Sequence, residues 1–114
     1  PLLNNIPKYT LNDSPAAQAV NPSIVWNAAQ SKAVMTWEAS ASVDVAEYSI
    51  RTAPGPVYKG GNETVVGSVA PTVLTFATDE GLSVPGATAL FKVYTVTTGN
   101  REKGSRVLKV TRPA

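Results

Sequence analysis

Asp79 and Glu80 are the only adjacent carboxylates in the chain. General acid–base work needs two carboxyl groups converging on one substrate. Neighbouring residues of an extended segment point to opposite sides, so this pair reads as a turn-forming Asp beside a solvated Glu. Asp44 and Glu47 flank a loop and invite a calcium reading. Calcium gathers about six to eight oxygens, usually from a denser acidic loop, and none is expected here. Serine and threonine abound, but there is no histidine to activate one, and nothing in the spacing singles out a Ser–Lys pair. Gly55, Gly60 and Gly61 lack the following G-K-[ST] and the helix that make a phosphate loop. Asn62-Glu63-Thr64 fits a glycosylation sequon, a short motif that matters only in an exported eukaryotic protein. With no cysteine and no histidine, the usual zinc, haem and iron–sulfur ligands and any disulfide are missing. No catalytic residue, no cofactor and no metal site are expected, and the chain reads as a non-enzyme.

Binding chemistry is easier to place. Residues 1–21 carry Pro1, Pro7, Pro15, Asn4, Asn5, Asn12 and Asn21, with Leu2, Leu3, Ile6, Tyr9 and Leu11 among them. Proline and asparagine at this density oppose a helix, so an extended arm is expected. Five large apolar side chains are too many for an inert spacer, and Leu2, Leu3, Ile6, Tyr9 and Leu11 are the first interface residues. Asn100, Arg101 and Lys103, in a charged loop near the end, are the second group. Arg101, Lys103, Arg106, Lys109 and Arg112 face only Glu102 in the last fourteen residues. Because they alternate with apolar residues, they fit a charged edge strand better than a phosphate patch, and nucleic acid is not expected as a partner.

These residues need a frame. A chain of 114 residues, 43% hydrophobic and 16% charged, suits one folded domain. It has no apolar run long enough to span a membrane, and no signal peptide is visible. The start at Pro1 fits either a segment of something longer or a complete small protein whose initiator methionine was removed. From Pro22 onward the pattern is strand and turn. β-prone runs occupy Ser23–Ala28, Ala33–Glu38, Glu47–Thr52, Thr64–Val69, Thr72–Ala77, Thr88–Thr98 and Ser105–Thr111, separated by Gly, Pro, Asn and Asp. About seven short strands with no helical period predict an antiparallel β-sandwich. Alternation puts Trp37, Tyr48, Ile50, Val93 and Leu108 on inward faces. In the first strand either Ile24 and Trp26 or Val25 points inward. Ala53–Gly61 reads as a loop with a turn at Pro54-Gly55-Pro56.

Several of these segments resemble fibronectin type III domains. Val34-Met35-Thr36-Trp37 is similar to the family's second strand with its core tryptophan. Asp44-Val45-Ala46-Glu47-Tyr48-Ser49-Ile50-Arg51 resembles the third strand of bacterial members. Thr78-Asp79-Glu80-Gly81-Leu82 and Pro85-Gly86-Ala87-Thr88 resemble the corner "T-D-x-G-L … P-G-T-T". Phe91-Lys92-Val93-Tyr94-Thr95-Val96 resembles the long sixth strand, and Gly99-Asn100 with Gly104-Ser105 its following loop. The resemblance runs from about Pro22 to Pro113 and implies a seven-stranded, immunoglobulin-like sandwich over residues 22–114 behind the arm, 1–21. It also implies a corner tyrosine where this chain has Ala89, so packing by Leu82, Leu90 and Phe91 is expected to hold the corner instead.

Fold does not give function. The first expectation is a structural or assembly protein of the kind that decorates a virion such as a bacteriophage capsid. It would attach to neighbouring protein subunits partly through its arm. The alternative is an accessory spacer or binding module of a secreted bacterial glycan-degrading enzyme or adhesin, with carbohydrate or a cell surface as partner.

Overall fold

The computed structural model describes residues 15–114. Its strands are β1 (Ser23–Asn27), β2 (Lys32–Thr36), β3 (Val45–Thr52), β4 (Thr64–Val69), β5 (Thr75–Thr78), β6 (Thr88–Thr97), β7 (Glu102–Gly104) and β8 (Leu108–Thr111). They form two antiparallel sheets. One has three strands in the order β1-β2-β5. The other has five, in the order β4-β3-β6-β7, with β8 also paired to β6. A single 3-10 turn, Gly60–Asn62, is the helical element among the described residues.

The core lies between the sheets, built by alternation. Ala33 and Met35 of β2, Tyr48 and Ile50 of β3, Phe91 and Val93 of β6, and Leu108 and Val110 of β8 are all buried. Trp37, just beyond β2, is buried with them, its backbone N–H donating to the Leu74 carbonyl at 3.1 Å. Its indole meets the Tyr48 ring edge-on, centroids 5.5 Å apart, a geometry worth about 0.5–1.5 kcal/mol beyond area burial. The Tyr48 hydroxyl accepts the Ser40 backbone N–H at 2.9 Å. In β1, Ile24 and Trp26 pack against the core while Val25 is 62% exposed, which settles the facing of that strand.

The closing segment runs differently from the expected single strand Ser105–Thr111. Only its second half is a strand, β8, while β7 lies before it in the segment expected to be a loop; both pair with β6 and are separated at 105–107. Ser105 causes the break. Its N–H donates to the Val93 carbonyl at 2.9 Å while its hydroxyl accepts the Val93 N–H at 3.0 Å, so a side chain stands in for the ladder. Arg106 then turns away, its guanidinium donating to Asn21 Oδ1 at 3.1 Å and the Pro22 carbonyl at 2.6 Å.

The corner at 79–89 corrects part of the packing expectation. Leu82 and Phe91 are fully buried in the core, and Ala89 lies there too. Leu90 is buried outside that cluster, on the opposite face of β6, where a Cβ on Gly55 would lie 3.3 Å from its Cδ1. Polar support for the corner comes from Arg112. Its Nη1 donates to the carbonyls of Leu82 (2.9 Å) and Ser83 (3.0 Å), and the guanidinium lies 5.1 Å from the centre of the Trp26 ring. The backbone joins in, with Gly86 N–H donating to the Arg112 carbonyl and Arg112 N–H to the Ala87 carbonyl.

Two of the five C-terminal cations are therefore structural. At the other end of the chain, Val20 is a core residue. Gln18 is bound through its N–H to Ser42 Oγ and through its carbonyl to the Ser40 hydroxyl.

Candidate functional site

β3 and β6 run side by side at the centre of the five-stranded sheet. Residues opposite each other in an antiparallel pair share a face. Arg51 lies opposite Lys92, and Ser49 opposite Tyr94. On the other flank of β6, Tyr94 lies opposite Gly104 and Val96 opposite Glu102. Since Ile50 and Val93 point into the core, these residues form the outer face of the sheet.

Their contacts make one network. The Arg51 guanidinium sits 3.9 Å from the centre of the Tyr94 ring. Its Nη1 is 2.6 Å from Glu102 Oε2 and 3.9 Å from Glu63 Oε1, and its Nε donates to Ser49 Oγ at 3.2 Å. Glu63 Oε2 accepts the hydroxyls of both Tyr58 (2.7 Å) and Tyr94 (2.5 Å). The Lys92 ammonium lies 5.0 Å from the Tyr58 ring centre. Gly104 makes the close approach possible, because a Cβ there would meet the Tyr94 ring at 2.9 Å. Glu63 enters from the loop that closes into β4, just after the 3-10 turn.

The electrostatics follow from the geometry. Burial and the hydrogen bond to the Glu63 carboxylate push the Tyr94 phenol up to about 12. The same two causes move Tyr58 further upward. Burial works against the Arg51 charge, but Glu102 and Glu63 outweigh it and leave the guanidinium pKa raised. Arg51 and Glu63 are only 18% and 12% exposed, whereas Glu102 is 48% exposed. The two acids and two bases balance, and each ring has a cation against it. This is a pre-ordered patch of tyrosine and arginine, the side-chain types enriched where proteins meet.

The sequence-derived residues are placed as follows. Leu2, Leu3, Ile6, Tyr9 and Leu11 lie outside the described residues. Asn100 is exposed at the β6–β7 turn with φ 61, a left-handed conformation that asparagine tolerates. Arg101 is exposed, and its backbone closes the turn against Thr97. Lys103 is exposed on β7, opposite Thr95. From that loop Glu102 reaches the network through Arg51. The Asp79 carbonyl accepts the Leu82 N–H at 2.8 Å, a turn contact. Among the described residues, no group of three or more acidic, histidine or cysteine side chains could hold a metal, and no helix is long and apolar enough to cross a membrane.

The network itself was not singled out from sequence. The outward facing of Arg51, Lys92 and Tyr94 follows from the inward facing of Ile50 and Val93. Nothing in the sequence announces that Tyr58 and Glu63 fold back onto them from a loop.

Fold and face together define an immunoglobulin-like sandwich with an ordered polar–aromatic sheet surface. More narrowly, its fold is fibronectin type III-like. The sixth fibronectin type III domain of human fibronectin type III domain containing protein 3 superposes with a TM-score of 0.65 at 26% identity, covering 89% of this chain and 91% of that one. An Fn3-like protein from Clostridium thermocellum gives 0.64 at 18% identity, covering 90% and 97%. Pectate lyase PelI from Erwinia chrysanthemi gives 0.66 at 12% identity; 80% of this chain matches and spans only 27% of that one. No protein-family model and no curated protein matches the sequence.

Proposed function

We propose that this chain is a non-catalytic binding module that meets a protein partner through the outer face of its five-stranded sheet. The observation that carries this is the Arg51–Tyr94–Glu63–Tyr58–Glu102 network, fixed before any partner arrives. A side chain already held in place loses less freedom on binding, which favours affinity. Asn100, Arg101 and Lys103 would form its rim. Of two neighbours that this chain covers nearly whole, one is a fibronectin type III domain and the other an Fn3-like protein, which supports a role outside catalysis.

The setting we favour is an accessory module of a larger secreted glycan-degrading protein. The likeness to about a quarter of a pectate lyase supports it. On this reading the isolated domain releases no cleavage products from pectate. A virion-decoration role would instead depend on the apolar arm. The parent reading frame separates the two settings: a long multidomain frame supports the first, a frame little longer than this chain the second.

The face is tested with proteins encoded in or beside that frame. Arg51→Ala and Tyr94→Ala, checked by thermal melts to remain folded, should each weaken binding about tenfold or more, as truncation of central interface residues does. Affinity unchanged in both folded variants would remove the face from the interaction.

A further inference from the structure

Charge is divided unevenly along the chain. The last fourteen residues hold Arg101, Lys103, Arg106, Lys109 and Arg112 against Glu102, while the first hundred hold five cations and seven acids. Folding gathers three of these cations on one flank of the sandwich, where β8 lies beside β1. β1 itself carries no charged residue. Arg106, Leu108, Val110 and Arg112 share one side of the extended segment. Leu108 and Val110 enter the core, and the arginine beyond each of them reaches across to β1. Arg106 binds Asn21 and Pro22 just before β1, and Arg112 lies against the Trp26 ring near its end. Six residues of extended chain set the two arginines about 20 Å apart. Lys109 stands midway, exposed on the outer face opposite Leu90.

What holds the arginines leaves their charge intact. Asn21 Oδ1 and the carbonyls of Pro22, Leu82 and Ser83 are neutral acceptors. No ion pair among the described residues involves Arg106, Lys109 or Arg112. A guanidinium has five N–H donors, and each arginine uses two of them on those oxygens. Both heads are thus fixed in place, charged and still able to donate. Such groups take up an anion with little further loss of freedom.

The spacing selects the kind of anion. Cations about 10 Å apart along a strand are too sparse for a nucleic-acid strand, which carries a phosphate about every 3.4 Å. No exposed side chain among the described residues is aromatic, so bases have no platform on which to stack. A protein contact centres on apolar and aromatic anchors, whereas β8 keeps Leu108 and Val110 buried and shows Lys109 and Thr111. The Thr111 hydroxyl is joined to that of Thr88 at 2.8 Å. Fixed planar donor forks beside hydroxyls match a stiff, hydroxylated polymer that bears carboxylates at intervals.

We propose that the β1–β8 flank binds a linear carboxylated polysaccharide, laid along β8 with its carboxylates on Arg106 and Arg112 and its middle against Lys109. This site goes beyond the protein-binding face around Arg51 and does not depend on it.

The test titrates the isotope-labelled full chain with polygalacturonate and, in parallel, with the fully methyl-esterified polymer, which keeps the sugar chain and loses the charge. Saturable NMR shifts are expected at the Arg106 and Arg112 side-chain N–H groups and at the backbone of β8. The ester should bind about tenfold more weakly or worse, and so should Arg106→Gln, the scale of a lost charge-assisted hydrogen bond. Lys109→Gln changes an exposed side chain and should also weaken binding. It keeps the proposal testable if Arg106→Gln fails to fold. Lys32→Gln removes the same charge from β2, on the other sheet, and should leave affinity unchanged. Four results would overturn the proposal: no saturable shift on the flank, equal binding of acid and ester, an equal loss in Lys32→Gln, or tighter binding of poly-glutamate or a single-stranded oligodeoxynucleotide at the same flank.

Discussion

Trp37 concentrates the stability of the core in one side chain. It is buried, stacked edge-on against Tyr48, and held by its backbone to Leu74. Its indole N–H has no acceptor among the described residues, so burial and ring contact give it its worth. Trp37→Ala should cost about 3–5 kcal/mol, read as a lowered urea midpoint. A near-normal midpoint would mean that the core closes without it. The two outer-face tyrosines make a different prediction. An unfolded tyrosine loses its proton near pH 10, whereas Tyr94 in the fold keeps it to about 12. Above pH 10 the unfolded state therefore holds fewer protons than the folded one. The stabilisation is full below pH 10 and is lost as pH rises toward 12. Denaturant midpoints taken across that range should fall, and Tyr94→Phe should flatten the fall. A pH-independent midpoint would show that neither burial nor Glu63 holds the proton on the phenol.

At the scale of elements, the corner before β6 shows how a chain compensates for a missing side chain. Ala89 has no hydroxyl to bind backbone, and Arg112 supplies two hydrogen bonds to the corner carbonyls from the far end of the chain. Arg112→Ala should lower stability by about 1.5–3 kcal/mol, the range for hydrogen bonds to a charged group, and Arg112→Lys should recover only part of it. Unchanged melting in Arg112→Ala would leave Leu82 and Phe91 as the whole support. This substitution was not legible in the sequence, where the C-terminal cations read as one alternating charged edge. What distinguishes Arg112 and Arg106 from Lys109 is which backbone carbonyls come within reach after folding. The strands were legible, because turn residues and two-residue alternation act locally. Thr64–Val69 has the predicted bounds, and Trp37, Tyr48, Ile50, Val93 and Leu108 are all buried. The outer-face network was half legible, since its strand residues obey alternation while Tyr58 and Glu63 arrive through a loop. The break at 105–107 was missed because Ser105 replaces a ladder bond with its own hydroxyl.

For the molecule as a whole, two antiparallel sheets enclose one core. The same architecture sets the order in which the chain can assemble. β6 pairs with β3 on one side and with β7 and β8 on the other. The hairpin of β1 and β2 can form from neighbouring residues, and so can the turn from β6 into β7. The contact between β6 and β3 cannot, since everything from the loop after β3 to the corner before β6 must first be looped out. The entropy of closing that loop is lost before the pairing rewards it. Chains dominated by such distant pairings fold slowly, on the millisecond-to-second scale. The strand that joins the sheet at its centre is thus also the one that governs how long the uncovered edges of β3, β7 and β8 remain open to other chains.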